Sequence, residues 1–116
     1  MKPTDEQKQW LWEQCGWEYD SEFDYWYPPG SPKVRGFYIT YRSFEMDIDL
    51  NNLFKYAVPK VHDISLIKLN RFQSEWQTAY RAQARLAGKK APNPIEDKGP
   101  AIALFWAIYK ALGGKE

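Results

Sequence analysis

GPAIALFWAIYKALGG, residues 99–114, is the stretch that decides the fold. Pro100 sits where a first helical residue belongs: its missing N–H is one the first turn leaves unbonded anyway, and its fixed φ suits a helix. Gly113 and Gly114 supply a natural C-terminal stop. Between them, Ala101 to Tyr109 is apolar on every side. An open surface helix carries one apolar stripe, so this one is predicted to lie in a core or between layers. Ala101, Ala103, Ala107 and Ala111 allow close approach to a sheet, and Phe105, Trp106, Ile108 and Leu112 fill the gaps.

Working towards the N-terminus, Gly88 to Gly99 carries Lys89, Lys90, Pro92 and Pro94 and reads as a surface loop. Ile64 to Phe72 has β composition, with Ser65, Ile67 and Leu69 opposed to Ile64, Leu66 and Lys68. Residues 74–85 are ambiguous. Trp76, Thr78, Tyr80 and Ala82 alternate as a strand does, while the alanines at 79, 82, 84 and 87 favour helix. Strand over 75–82 is the preferred reading, because it forms a hairpin with 64–72. Asp49 is a good N-cap for the segment before. Leu50, Leu53, Phe54, Ala57, Val58 and Val61 recur with helical spacing. Pro59 removes a backbone donor and crowds the carbonyl of Lys55, so this helix kinks or stops near Val58.

The N-terminal part is unusually aromatic. Trp10, Trp12, Trp17, Tyr19, Phe23, Tyr25, Trp26 and Tyr27 fall within residues 10–27. Each such ring can remove on the order of 150–250 Å² from water, so they are core or a binding surface. Thr4 with Gln7 forms a capping box, Asp5 and Glu6 suit a first helical turn, and Gly16 closes a helix over 5–15. Trp17 to Asp24 alternates with acids at Glu18, Asp20, Glu22 and Asp24, which predicts a half-buried strand. Tyr25-Trp26-Tyr27 extends it, and Pro28-Pro29-Gly30-Ser31-Pro32 ends it. Gly36 to Phe44 reads as a further short strand.

A chain of 116 residues with 17% aromatic content is expected to form one domain, with residues 1–3 and 114–116 as loose ends. The net charge is +1, but unevenly spread. Residues 1–24 hold seven acids against Lys2 and Lys8, a balance of −5; residues 60–90 hold seven bases against Asp63 and Glu75, a balance of +5. A basic face is one reading of that asymmetry, and ordinary solvated faces are the preferred one. The N-terminus lacks an apolar leader run, and no apolar stretch approaches the roughly 18–20 residues of a membrane span. The single cysteine, Cys15, allows no internal disulfide, which fits a reducing cytoplasm.

Chemistry-bearing constellations are sparse. His62 and Cys15 have no zinc-ligand spacing, and Asp47 with Asp49 is too little for a hard-cation loop. His62 and Asp63 are sequence neighbours, so neither orients the other, and no serine sits in a nucleophile turn. No phosphate-binding glycine loop is present. We therefore expect no metal, no cofactor and no enzyme activity. Two binding surfaces stand out. Tyr25, Trp26 and Tyr27, pinned by prolines, suit a low-entropy contact with a protein partner. Arg71, Trp76, Tyr80, Arg81 and Arg85 interleave rings and bases, as single-stranded nucleic acid or nucleotide binders do. The same spacing also suits a strand with rings inward and arginines outward.

Two segments carry a family resemblance: Ile48-Asp49-Leu50-Asn51-Asn52-Leu53-Phe54-Lys55-Tyr56-Ala57-Val58-Pro59-Lys60, and Glu96-Asp97-Lys98-Gly99-Pro100-Ala101-Ile102-Ala103-Leu104-Phe105-Trp106-Ala107-Ile108-Tyr109. With Cys15-Gly16-Trp17 they resemble the small "ABA sandwich" proteins of phages and prophages, over roughly residues 10–113. The resemblance rests on packing residues. It implies a compact α/β unit of phage or prophage origin and carries over no catalytic residue. Material around Pro32 to Phe44 falls outside it. The expected fold is thus α/β (α+β): a small, mainly antiparallel sheet carrying the helices over 50–58 and 100–112, with the N-terminal helix as a satellite. The expected role is a non-enzymatic accessory protein that binds a host or phage protein, as a monomer or homodimer.

Overall fold

In the computed structural model, residues 2–20, 25–27, 48–72 and 76–115 are described. The expected strand Gly36–Phe44, the proline run 28–32 and Asp47 lie outside them.

The capping box forms as the sequence predicts. Helix α1, Asp5–Gln14, opens on Thr4, whose hydroxyl accepts from Gln7 N–H at 3.2 Å while its own N–H donates to Gln7 Oε1 at 2.8 Å. It ends where Cys15 N–H reaches Leu11 O and Trp12 O and Gly16 takes a φ of 102°, a conformation in which a Cβ would crowd the following backbone. The helix is not the expected satellite. Leu11, Trp12 and Cys15 are fully buried and, with Trp17, join the same core as the last helix.

The next stretch corrects the expectation of one continuous strand over residues 17–27. β1, Glu18–Asp20, and β2, Tyr25–Tyr27, pair antiparallel, with Glu18 opposite Tyr27 and Asp20 opposite Tyr25. A single strand here would leave its backbone groups without ladder partners, and folding it back on itself supplies them.

Asp49 caps the segment α2 as expected: its Oδ1 accepts from Asn52 N–H at 2.7 Å. The segment changes type along its length. It is α-helical over Leu50–Asn52, π-helical over Leu53–Ala57 and 3₁₀ over Val58–Lys60. Val58 N–H reaches back to Leu53 O, and Pro59, which has no N–H to give, falls in the final tight turn. The wider π turn sets back the phase of the apolar stripe. Leu53 and Ala57 are fully buried, but Phe54 is 49% exposed. Tyr56 turns inward instead, edge-on to Trp12 and Trp17 at 6.4 and 5.3 Å between ring centroids.

The residues with ambiguous periodicity are strand. β3, Asp63–Phe72, and β4, Trp76–Arg85, form a long antiparallel hairpin from Asp63↔Arg85 to Phe72↔Trp76. A third strand, β5, Ile95–Asp97, pairs with β4 at Tyr80–Ala82, inside the stretch expected to be loop. The order in this sheet is β3-β4-β5.

Helix α3, Pro100–Ala111, lies against β4 and β5 and meets α2 as well. Residues 103 to 109 are all buried, which is why no side of this helix is polar. Ala82 and Ala84 of β4 are buried beside it, their small side chains permitting close approach. Asp97 Oδ1 accepts from Gly99 N–H at 2.9 Å just before the helix begins, and this bond holds the Asp97 carboxyl below the usual range. At the far end Gly113 is left-handed and Gly114 N–H donates to Tyr109 O. The Tyr109 hydroxyl donates to Lys115 O, so the end expected to be loose is tied down at Gly114 and Lys115. A Cβ on Gly114 would stand 2.5 Å from Tyr109 Cε1 and Cζ, so glycine lets the backbone pass over that ring. The molecule is a mixed α+β domain: helices and a three-stranded antiparallel sheet around one core.

Candidate interaction surface

Strand alternation sorts the hairpin into two faces. Ile64 and Leu66 of β3 stand opposite Ala84 and Ala82 of β4, and Lys68 stands opposite Tyr80. This is the face that α3 covers, and Tyr80 packs half-buried against its core. The other face carries Asp63 opposite Arg85, Ser65 opposite Gln83, Ile67 opposite Arg81 and Leu69 opposite Ala79. β5 extends it, placing Glu96 opposite Arg81.

Arg81 and Arg85 of this outer face are matched by carboxylates. Arg81 donates to Glu96 Oε1 from Nε at 3.1 Å and from Nη2 at 2.8 Å. Arg85 donates to Asp63 Oδ2 from Nε at 2.9 Å and also from Nη2. The hydrogen bonds from Arg85 hold the exposed Asp63 carboxyl below the usual carboxylate range. His62 Nε2 stands 3.9 Å from Asp63 Oδ1. Gln83 is tied to Pro92 O at 2.9 Å. Between these polar groups sits Ile67, 50% exposed in the middle of the strand.

This geometry divides the residues that sequence spacing had grouped. Tyr80 lies on the covered face and Arg81 and Arg85 on the open one, so the three do not form a single stacking-and-phosphate surface. Arg71 and Trp76 are at the hairpin end, opposite Gln77 and Phe72 in register; their side chains lie outside the description. Of the aromatic triplet on β2, Tyr27 is 7% exposed and offers no contact ring, whereas the Tyr25 and Trp26 side chains lie outside the description. Ile67, Asp63 and Glu96 were missed as surface residues. Ile67 read as one more strand hydrophobe, and the ion pairs depend on cross-strand register. The signal for Asp63–Arg85 was present in the alternation, but only a hairpin carried three residues beyond position 82 brings them together.

Other features offer less chemistry. Among the described residues, no three His, Cys, Asp or Glu side chains group as metal ligands, and no polar or charged residue is buried. Asp49 is engaged as a helix cap. An open groove of about 330 Å³ lies between the start of α1 and the end of α3, lined by Glu6, Gln7, Trp10, Tyr109, Gly113 and Lys115. Cys15 is a buried thiol whose loss of solvent pushes its pKa from 9.0 up to about 11, against a smaller opposing pull from Lys60. Because the folded value is the raised one, its contribution to stability is complete below about pH 9 and disappears as pH rises towards 11. We expect Cys15 to resist a thiol reagent at pH 8 until the chain is unfolded by denaturant; rapid native-state labelling, read by absorbance, would show that the site opens.

Compared with protein-family models, curated protein sequences and solved structures, the chain matches none. Among the described residues, no helix is long and apolar enough to cross a membrane. Fold and surface together define a small α+β domain whose distinctive exposed feature is an ion-paired sheet face around the half-exposed Ile67.

Proposed function

We propose that this chain is a non-enzymatic accessory protein of phage or prophage origin that acts in the bacterial cytoplasm by binding a protein partner. The observation that carries the reading is Ile67, half exposed at mid-strand and framed by the Arg81–Glu96 and Arg85–Asp63 pairs. An exposed hydrophobe ringed by mutually neutralised charges suits a protein surface, where an apolar centre desolvates and the polar rim aligns. Tyr25 and Trp26 of β2 are proposed as a second contact. The origin rests on the resemblance carried by residues 48–60 and 96–109.

Single-stranded nucleic acid binding is the competing reading, and the paired arginines weigh against it. A carboxylate beside a guanidinium offsets its charge and so weakens its pull on a phosphate. We expect no change in fluorescence anisotropy of labelled single-stranded oligonucleotides at about 50 mM salt, where the phosphate contribution is large. Binding that falls steeply with added salt would reverse the choice. The protein-binding reading is tested by affinity capture from a bacterial host lysate with the wild type, Ile67→Asp and Trp26→Ala. A protein held by the wild type and lost with a folded variant supports it. A capture pattern that neither substitution alters removes the proposed contacts.

A further inference from the structure

The two edges of the β3-β4-β5 sheet are built differently. β5 is three residues long and follows Pro92 and Pro94, so that edge is short and proline-guarded. β3 runs ten residues, Asp63–Phe72, with no proline or glycine, and among the described residues only β4 pairs with it. An edge strand of this length presents a row of backbone donors and acceptors to any strand that can align with it.

We infer that the occupant of this edge is a second copy of the same chain, paired antiparallel along β3 about a two-fold axis through Ile67. The inference rests on the protein-binding reading and names the partner. A two-fold axis perpendicular to the sheet keeps the outer faces on the same side, so opposed residues must have the same parity. With Ile67 on the axis, the exposed isoleucines of the two copies meet and shield each other. Ser65 then stands opposite Leu69 of the other copy, and Leu66 opposite Lys68. Asp63 stands opposite position 71, an arginine, at both ends, so the register is charge-complementary. Asp63 is open enough to take a second cation, since its side chain is 56% exposed. Moving the axis one residue towards the C-terminus places Lys68 opposite Lys68, a like-charge pair, and moving it one residue towards the N-terminus parts the two isoleucines and sets Asp63 opposite Leu69. The near-neutral chain, at +1, sets up little long-range repulsion between copies.

Pairing along one strand is a small interface, so association will be concentration-dependent. In sedimentation of the purified full chain between about 5 and 500 µM, the weight-average mass should rise from 13.7 kDa towards twice that value. Ile67→Lys places two lysines on the axis and should abolish the rise. Its melting temperature at low concentration should stay within about 2 °C of wild type, because the substituted side chain is half in solvent. Mild oxidation of Ile67→Cys should give a cross-linked dimer. Ser65→Cys should not, because the two sulfurs then lie four strand positions apart, about 13 Å. A mass of 13.7 kDa at every concentration overturns the inference. So does association that survives Ile67→Lys, or cross-linking of Ser65→Cys as fast as Ile67→Cys. The capture experiment is independent: a different protein lost with Ile67→Asp from a strictly monomeric chain would leave the protein-binding reading standing and this one fallen.

Discussion

Replacing Trp12 by alanine will lower the unfolding free energy by about 3–5 kcal/mol, measured by urea or guanidinium denaturation. The residue is 0% exposed on α1, flanked by the equally buried Leu11, with its ring edge-on to Tyr56. Truncation removes the transfer free energy of a whole indole and leaves a cavity that the helix, held by Leu11 and Cys15, cannot close. A domain of this size has about 5–15 kcal/mol in total, so the variant will be marginal or unfolded. Trp12→Phe should be far milder. Trp12 Nε1 is buried and meets no hydrogen-bond acceptor among the described residues, so phenylalanine sheds an unsatisfied donor as it loses volume. A loss below about 1 kcal/mol for Trp12→Ala would return α1 to the status of a satellite.

Phe105→Ala will have an effect of the same size, about 3–5 kcal/mol, by the same measurement. Phe105 is 0% exposed in the middle of α3, stacked on Tyr109 at 5.8 Å and edge-on to Trp106 at 5.2 Å. Tyr109 is in turn edge-on to Trp10 of α1 at 5.0 Å, so the cavity opens where the two helices meet. Phe54→Ala is the control. That ring is half in solvent, and its loss should cost less than about 1 kcal/mol. Equal effects at 54 and 105 would contradict the π turn that rotates Phe54 outward.

The two phenylalanines show where sequence reading succeeds and stops. Phe105 lies in a helix apolar on all sides, so any orientation buries it. Phe54 lies on a one-sided stripe, whose phase depends on the hydrogen-bond spacing at Leu53–Ala57. Periodicity assumes the regular α spacing, and a π turn breaks that assumption without a local signature. The arginines teach the same lesson on the sheet. Arg81 and Arg85 were visible as bases near rings, yet a strand's two-residue period puts Tyr80 on the opposite face. Their carboxylate partners come from β3 and β5, 22 and 15 positions away.

Several features were determined by the sequence alone because short-range physics decides them. They are the Thr4–Gln7 cap, the Asp49 cap, the stop at Gly16, the proline-opened apolar helix and the alternation of β3. Each depends on groups a few residues apart, whose geometry is the same in any fold. Tertiary structure alone decided that α1 is core, that β1 pairs antiparallel with β2, that Ile95–Asp97 becomes a strand, and that Ile67 is left exposed between two ion pairs. Those outcomes turn on which distant backbone supplies a ladder partner or a covering surface. The helix read first, residues 100–111, belongs to both groups. Its sequence required burial on every side, and the packing of the sheet and the other helices decided what would bury it.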